Sequence, residues 1–256
     1  MEKEIIKTKK EFLENIEEFL PAIKHKMETI LSEVCAYRID EQDESQINVF
    51  IEDLSFDIVN ILESKKSNQF LSQFEGMDEE EISERLKDLN FDELSKLYIK
   101  INIERKMESE KKFLQLLKSN ISLDTREIFF DLDETLISYA YNEKWKKRDF
   151  IRPVAQIILN ELKRLNIKIS ILTTRSSKYI PKEIRKFVNG VIIGRDESLD
   201  YKEKYIDKYG VENVPYENKA CFAKLADDGV LIIDDAHYAK KYDNCVYVSD
   251  SEKFFL

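Results

Sequence analysis

The hydrophobic and polar positions follow two different periods along the chain. Over residues 1–120 apolar side chains recur every three or four positions, the spacing of an amphipathic helix. We predict helices throughout this region, with Pro21 opening the second helix and a long last helix running from about 91 to 118. The simplest interpretation of the apolar stripes is the core of a helical bundle. The clearest stripe consists of Ile47, Phe50, Ile51, Leu54, Ile58, Ile61 and Leu62.

One helix start in this region has a recognisable capping pattern. Asp78 follows Gly76 closely, and Glu81 lies three residues after Asp78. An acidic or hydroxyl side chain followed three residues later by Glu is the signature of a capping box. The spacing predicts a helix that begins just after Asp78.

From residue 127 onward, short β-rich runs alternate with helical segments. Strands that alternate with helices indicate βαβ units and a mainly parallel sheet with helices on both faces. We therefore expect an all-α helical accessory domain over 1–122 and an α/β domain over 123–256. The five predicted strands are EIFFDLD (127–133), KISILTT (168–174), GVIIG (190–194), GVLIIDD (229–235) and CVYVS (245–249).

The charge is spread unevenly between these two regions. The chain of 256 residues has a net charge of −10. Residues 1–125 account for −11 and residues 126–256 for +1. The acidic first half disfavours nucleic acid and anionic membranes as partners, whereas the nearly neutral second half is suited to an anionic substrate.

The sequence also bears on the compartment of the protein. Its N-terminus, MEKEIIKTKKEF, is charged and has no apolar signal core. No apolar run approaches the roughly 18 residues of a membrane span. The three cysteines are widely spaced and form no CxxC pair, which favours reduced thiols over a disulfide framework. We expect a soluble, cytoplasmic protein.

Polar side chains follow three of the predicted strands at the point where each strand ends. Asp131 and Asp133 end the first, the Thr173–Thr174–Arg175 run lies at the end of the second, and the Asp234–Asp235 pair ends the fourth. Ligands of parallel sheets bind beyond the carboxyl ends of the strands. If these strands are neighbours, their carboxylates and a hydroxyl meet at one edge of the sheet.

The chemistry of such a group is specific. Several carboxylates repel one another unless a cation neutralises them, and sites with oxygen ligands only suit Mg²⁺. A carboxylate near a neutralised phosphoryl group can act as a nucleophile through an aspartyl phosphate. A second carboxyl group can then serve as general acid and base.

The α/β region resembles the haloacid dehalogenase superfamily, whose members are mostly Mg²⁺-dependent phosphatases. DLDETL is similar to the first motif of that family, DxDx[TV]. ILTT resembles the second motif, an apolar strand that ends in Thr or Ser, and IIDD resembles the fourth. The third motif is a single Lys, for which Lys219 is favoured and Lys224 is the alternative. The resemblance covers about half of the chain and implies a fold of the same type.

The resemblance also implies roles for individual residues. Asp131 would be the nucleophile and Asp133 the general acid and base. The phosphoryl group would be bound by Thr173 and Lys219, with Thr174 and Arg175 as further candidates for contact with the substrate. Mg²⁺ would be held by Asp131, by the backbone carbonyl of Asp133 and by Asp234, with Asp235 as a further ligand. Glu134 fits a turn residue better than a ligand.

The intervals between the motifs bear on the substrate. Leu136 and Ile151 are separated by 14 residues, enough for a flap, and residues 176–218 read as a helix, a strand and a helix. Neither interval fits a cap domain of ordinary size. Capless members of the family often act on large substrates, so we expect a phosphorylated macromolecule such as a phosphoprotein. The alternatives are a small-molecule phosphatase capped by the helical domain and a non-catalytic binding module.

Three further features leave their roles open. The helical region is expected to cover the site, recruit a protein partner or self-associate. The basic cluster KWKKR, at 144–148, is either a solvated patch or a contact for a phosphorylated macromolecule. Arg152–Pro153 is similar to the RP of phosphatases that act on the polymerase C-terminal tail, although Pro also suits a helix start.

Overall fold

The computed structural model describes residues 2–63, 69–142 and 144–256. Nine α-helices lie in this described part of the chain, and the helical periods of the first half are confirmed. They are α1 (Glu2–Glu14), α2 (Leu20–Arg38), α3 (Glu44–Glu63), α4 (Glu79–Lys87), α5 (Phe91–Asn120), α6 (Pro153–Arg164), α7 (Lys182–Arg185), α8 (Arg195–Tyr209) and α9 (Asn218–Leu225). None of the described helices is long and apolar enough to cross a membrane.

Seven strands form two sheets in the described residues. Five of them make one parallel sheet in the order β5-β4-β1-β6-β7, and β2 pairs only with β3. The strands are β1 (Glu127–Phe130), β2 (Ile137–Tyr141), β3 (Lys147–Ile151), β4 (Lys168–Leu172), β5 (Ile192–Ile193), β6 (Val230–Asp234) and β7 (Cys245–Tyr247). All five predicted strands are therefore present, each shorter than its apolar run.

The hairpin of β2 and β3 was not among the predicted strands. The length of this interval, 14 residues, predicts a flap and gives no indication of its secondary structure. In the structure Ser138 and Ala140 are buried, whereas Tyr139 and Tyr141 are exposed. This alternation is the period of a strand with one covered face.

The order of the parallel strands shows where the direction of winding reverses in the sheet. From β1 the chain moves outward through β4 and β5, and it then returns to the other side of β1 as β6 and β7. The direction of winding thus reverses between β1 and β6. In open parallel sheets, ligands bind in the crevice at the carboxyl ends of the strands where this reversal occurs.

Both faces of the sheet are covered. Three successive residues of β1, Ile128, Phe129 and Phe130, are buried, and successive side chains of a strand point to opposite faces. On one face Phe129 packs against Phe222 of α9, with 4.6 Å between ring centroids. The sheet therefore has the two-sided burial of an α/β fold.

The helical region confirms the predicted core and cap. Asp78 accepts a hydrogen bond from the Glu81 amide at 2.9 Å, and Glu81 accepts one from the Asp78 amide at 3.1 Å, so the capping box opens α4. The apolar stripe of α3 is the centre of a buried cluster. Its buried members are Cys35, Phe50, Ile51, Leu54, Ile58, Leu71, Phe74, Ile82, Leu86, Leu94, Leu97 and Ile101.

The chain forms two compact units that do not divide at residue 122. One unit consists of residues 1–24, 108–139 and 149–255, and the other of 25–107, 140–148 and 256. The ends of the helical region therefore belong to the α/β unit. One physical reason is Lys9 of α1, whose ammonium is buried and donates to the carbonyl oxygens of Leu123 and Thr125 at 2.9 and 2.8 Å.

A buried ion pair fastens the end of α5 into the same unit. Arg152 and Glu110 are both 0% exposed, and Arg152 Nε donates to Glu110 Oε1 at 2.7 Å. Glu110 Oε2 accepts the amide of Val154 at 2.9 Å, next to Pro153 in the first turn of α6. The Arg152 guanidinium also lies 3.8 Å from the ring centroid of Phe113. Arg152 is thus an interior residue.

We expect Arg152→Met to be strongly destabilising, because it leaves the Glu110 carboxylate buried without its cation. Breaking a buried pair in this way costs about 3–5 kcal/mol in the free energy of unfolding, measured by urea denaturation. Arg164→Met is the matched control: Arg164 is 76% exposed and pairs with Glu161, so the loss should stay below about 1 kcal/mol.

Replacing both partners distinguishes the effect of the unpaired charge on stability from the effect of lost packing. Arg152→Met combined with Glu110→Leu should recover part of the loss, since no unpaired charge remains inside. A double variant that loses the sum of the two single losses would contradict this account of the pair.

Candidate functional site

Two aspartates meet at the carboxyl ends of β1 and β6. The parallel register pairs Phe130 with Ile233, so the next residue of each strand path, Asp131 and Asp234, falls at the same level of the sheet. The Asp131 amide continues the ladder and donates to the Ile233 carbonyl at 2.8 Å. The reversal point of the sheet therefore holds two carboxylates that are 4% and 0% exposed.

Lys219 bridges these two carboxylates. Its ammonium donates to Asp131 Oδ1 at 2.6 Å and to Asp234 Oδ2 at 2.8 Å. Lys219 lies in the first turn of α9 and is itself buried. Lys224, the alternative in the sequence, lies in the last turn of the same helix and is exposed. Of the two lysines, Lys219 is the one that reaches the carboxylates.

Burial controls the ionisation of this group. It raises the pKa of Asp131 to about 7; the Lys219 ammonium lowers the pKa and the Asp234 carboxylate raises it further. Burial lowers the pKa of Lys219, but the two carboxylates outweigh this effect and raise it overall. The proton thus stays on Lys219, whereas the ionisation of Asp131 near neutral pH depends on nearby positive charge.

Asp234 is fixed by two further donors. Its Oδ1 accepts the amide of Ala236 at 2.9 Å, and its Oδ2 accepts the hydroxyl of Tyr238 at 2.7 Å. Burial is the main cause that raises the pKa of Tyr238, and the negative charge of Asp234 adds to it, so the phenol stays a donor. Sequence reasoning missed Tyr238 because nothing in its spacing marks it as a partner of Asp234.

Asp235 completes a cluster of three carboxylates. One carboxylate oxygen from each of Asp131, Asp234 and Asp235 lies within 4.8 Å of the others. Oxygen atoms from several carboxylates are the ligands that hard divalent cations prefer. This cluster could therefore hold a metal ion.

A second lysine balances the outer part of the cluster. The Lys253 ammonium lies 3.0 Å from Asp235 Oδ2 and 3.0 Å from Glu134 Oε2. Glu134 has a left-handed backbone, with φ 58°, and its amide donates to the Ile137 carbonyl at 2.8 Å. Glu134 is thus the turn residue expected, and it also pairs with Lys253, which no sequence motif selects.

Arg175, which follows β4, connects Asp133 to Asp149 of β3. Its Nε donates to Asp133 Oδ2 at 2.8 Å, and its Nη1 donates to Asp149 Oδ2 at 2.9 Å. Nη2 donates to both carboxylates. Burial lowers the pKa of Arg175, but the hydrogen bonds to Asp133 and Asp149 raise it overall. Each nitrogen of the guanidinium therefore already donates to a carboxylate.

Asp149 is a functional candidate that sequence reasoning missed. It lies on β3, between the basic residues of the hairpin and the apolar Phe150. No spacing rule connects it with Arg175, because only the path of the hairpin brings the two together. The engagement of Arg175 by two carboxylates favours a positioning role over the predicted contact with a substrate.

The two threonines after β4 have different surroundings. Thr173 is buried, and its hydroxyl oxygen accepts the amide of Arg175 at 3.2 Å, which leaves its own proton available to a ligand. Thr174 is exposed, and its carbonyl accepts a hydrogen bond from Arg195 at 3.1 Å. Thr173 is therefore the better placed of the pair to present a hydroxyl at the strand end.

Comparison with known proteins adds no assignment. No family of known sequences, no curated protein and no solved structure matches this chain. The chemistry of the site has to be inferred from its own residues.

We expect the stability of a Lys219→Met variant to depend on a divalent cation. With a chelator present, removing the ammonium leaves Asp131 and Asp234 buried without a counter-charge, and the melting temperature should fall by about 6 °C or more. Adding Mg²⁺ should raise the melting temperature of this variant more than that of the wild type.

Lys224→Met is the matched control on the same helix, because Lys224 is exposed. It should melt within about 2 °C of the wild type with or without Mg²⁺. If both variants lose the same small amount of stability, the bridging role of Lys219 is wrong.

Proposed function

We propose that this protein is a Mg²⁺-dependent phosphomonoester hydrolase of the haloacid dehalogenase type, with Asp131 as its nucleophile. The observation that carries the proposal is the meeting of Asp131, Lys219 and Asp234 at the reversal point of the parallel sheet. The sequence motifs of that superfamily place their functional residues at the same strand ends.

The residues present fit a magnesium ion. Asp131, Asp234 and Asp235 supply the oxygen ligands that Mg²⁺ requires, and two of these carboxylates are buried. The backbone carbonyl of Asp133 is the fourth protein ligand that the family resemblance implies. When bound, the ion would neutralise charge on the phosphoryl oxygens as a Lewis acid.

Asp131 performs the first chemical step. Its carboxylate oxygen attacks the phosphorus atom, the ester P–O bond breaks, and an aspartyl phosphate forms. Asp133, a carboxylate that accepts hydrogen bonds from Arg175 on both oxygens, takes up a proton from solvent in the complex with substrate and passes it to the leaving oxygen. Lys219 and the hydroxyl of Thr173 bind the remaining phosphoryl oxygens.

The second step regenerates the nucleophile. A water molecule attacks the phosphorus of the aspartyl phosphate and gives up its proton to the Asp133 carboxylate. The bond between Asp131 and phosphorus breaks, and inorganic phosphate leaves. Each turnover therefore consumes one water and returns Asp131 and Asp133 to their starting states.

Arg175 and Asp149 position the general acid in this scheme. The guanidinium holds both oxygens of Asp133, and Asp149 holds the guanidinium from the other side. Because a planar guanidinium that donates to two carboxylates has little freedom to rotate, the direction of the Asp133 carboxyl group is fixed.

The substrate class follows from the space around the motifs. In the described residues, the chain between Thr173 and Lys219 forms α7, β5 and α8, and these elements belong to the same compact unit as the parallel sheet. No separate cap domain is inserted there, which favours a macromolecular phosphomonoester such as a phosphoprotein. A panel of phosphate substrates would be tested with the full chain and with a variant that lacks residues 25–107. If the substrate is a small molecule, its turnover should require those residues.

We expect Mg²⁺-dependent hydrolysis of 4-nitrophenyl phosphate that Asp131→Asn abolishes, because an amide cannot form the aspartyl phosphate. The loss should exceed about 10³-fold in kcat, measured by release of nitrophenolate. Lys224→Met, which changes an exposed residue of α9, should retain wild-type activity. Full activity of Asp131→Asn would exclude the mechanism, and inactivity of the wild type across a broad phosphate panel would favour a binding module.

We expect Asp149→Asn to impair hydrolysis selectively for substrates with poor leaving groups. General acid catalysis matters most for an alkyl phosphate and little for an activated aryl phosphate. The expected loss in kcat is about 10- to 100-fold for the alkyl phosphate and only a few-fold for the aryl phosphate, with KM nearly unchanged.

Two variants test whether this effect comes from positioning. Asp149→Glu should restore part of the activity, because its carboxylate can still reach Arg175. Asp196→Asn is the matched control, since Asp196 accepts a hydrogen bond from the neighbouring Ser176 and does not contact Arg175 through any described bond. A loss of equal size for both substrates would indicate a structural role only.

A further inference from the structure

One cation at the carboxyl edge of the parallel sheet has no part in the proposed reaction. Arg195 follows β5 and is the first residue of α8. Its side chain turns back toward the neighbouring strand, where its Nε donates to the Thr174 carbonyl at 3.1 Å. Arg195 is exposed, and its guanidinium makes no other hydrogen bond or ion pair with the described residues. Its two terminal nitrogens are therefore free to donate to a ligand.

Arg195 lies two strand positions from the proposed nucleophile. The order β5-β4-β1 places the end of β4, with Thr173, between Arg195 and Asp131. Neighbouring strands are about 4.8 Å apart, so two positions along the sheet correspond to about 10 Å. Each residue of an extended peptide spans about 3.3–3.6 Å. Arg195 is therefore within reach of a side chain about three residues away from a phosphorylated residue bound at Asp131.

The hydroxyl of Thr174 is a second free donor at the same place. Thr174 is exposed, and its hydroxyl has no hydrogen bond to any described residue. Because Arg195 donates to the carbonyl of this same residue, the guanidinium and the hydroxyl belong to one small patch. Two guanidinium nitrogens and a hydroxyl are the donors that an anion with two oxygens accepts.

The patch is held by contacts between the loop after β4 and the start of α8. Gly194 marks the closest approach, because a Cβ there would lie 2.6 Å from the Ser177 amide nitrogen and 2.8 Å from the Arg175 carbonyl oxygen. The Arg195 amide donates to that carbonyl at 2.9 Å. Glu197 accepts the Ser177 hydroxyl at 2.8 Å and the Gly194 amide at 3.0 Å. These contacts fix the start of α8 on the loop before any ligand binds.

The segment that carries the patch is basic, although the chain as a whole is acidic. Residues 174–200 contain six basic and four acidic side chains, a net charge of +2, whereas the whole chain has −10. The two acidic residues that follow Arg195 in the chain are engaged with the loop. Asp196 accepts the Ser176 hydroxyl at 3.1 Å, and both oxygens of Glu197 accept hydrogen bonds. The surface around Arg195 therefore favours an anionic ligand.

We propose that Arg195 and the hydroxyl of Thr174 form a subsite for an acidic side chain near the phosphorylated residue of a protein substrate. The inference rests on the proposed phosphatase function and names the substrate feature that the same site selects. A carboxylate forms a bidentate pair with a guanidinium, which gives direction as well as charge to the contact. Arg195 is thus a specificity-determining residue and takes no part in the chemical steps.

The exposure of the patch favours a peptide over a small molecule with two phosphates. Sites for small molecules are concave and bury most of the ligand. Arg195 and Thr174 are both exposed, so a ligand bound to them keeps one side in water. An extended peptide that lies across the carboxyl edge of the sheet meets this condition, because its backbone connects the phosphorylated residue to the acidic one.

Paired phosphopeptides test the subsite. Phosphoserine peptides of equal length would carry two Asp residues at the second and third positions from the phosphoserine, on its amino or its carboxyl side, or Asn at the same positions. We expect the protein to hydrolyse one of the Asp peptides with a KM about 10-fold below that of its Asn counterpart and a similar kcat. Arg195→Gln should remove this difference and leave the hydrolysis of 4-nitrophenyl phosphate unchanged.

Lys186→Gln is the matched control for the loss of one positive charge. Lys186 is exposed and belongs to the same basic segment. Its carbonyl accepts the ammonium of Lys163, in the last turn of α6 just before β4 begins, so Lys186 lies toward the opposite edge of the sheet. This variant should keep the preference for the Asp peptide. Arg195→Lys should keep part of it, because an ammonium retains the charge but not the bidentate geometry.

Binding measurements distinguish a failure of the subsite from a failure of the proposed hydrolase activity. Fluorescence anisotropy of the labelled peptides in EDTA requires no turnover. Tighter binding of an Asp peptide that Arg195→Gln abolishes would support the subsite even if no phosphate is ever released, and only the hydrolase proposal would then fail.

Four results would overturn the subsite. The first is hydrolysis or binding without any preference for Asp, and the second is a preference that Arg195→Gln leaves intact or that Lys186→Gln reduces equally. The third is an Arg195-dependent preference for a small bisphosphate over the Asp peptides, which would assign the guanidinium to a second phosphate. The fourth is the absence of both hydrolysis and binding, which would overturn the hydrolase proposal as well.

Discussion

The site depends on the electrostatic balance of two buried carboxylates at the ends of adjacent parallel strands. The register of β1 and β6 brings Asp131 and Asp234 to the same level of the sheet, where water cannot screen their repulsion. Lys219 supplies one compensating charge, and Asp235 adds a third carboxylate within reach. The carboxylates of this cluster outnumber the one lysine that bridges them. The cluster is therefore suited to bind a second cation, and an anionic group can bind through that cation.

The same principle organises the surroundings of the site. Arg175 lies between Asp133 and Asp149, and Lys253 lies between Asp235 and Glu134. In each case one cation joins carboxylates from separate segments of the chain. The residues after β1 are therefore held by ion pairs on several sides, in addition to the burial of Leu132 and Leu136.

The compact units were less predictable than the elements inside them. Helix periods, the capping box at Asp78 and the five parallel strands are local patterns, and each was readable from neighbouring residues. The boundary at residue 122 followed the change of period along the chain, yet the unit that contains the sheet also takes in both ends of the helical region. Lys9 and the Arg152–Glu110 pair connect segments far apart in sequence, and no period reveals such contacts.

The sequence alone determined the α/β architecture and the strand-end residues of the candidate site, Asp131, Asp234 and Thr173. It could do so because strand ends and polar residues beside them are local features, and because parallel strands place those ends at one edge. The tertiary structure decided which side chains touch. It brought Asp149 to Arg175 and chose Lys219 over Lys224, since strand register, hairpin path and helix orientation, rather than spacing, set the distances between charged atoms.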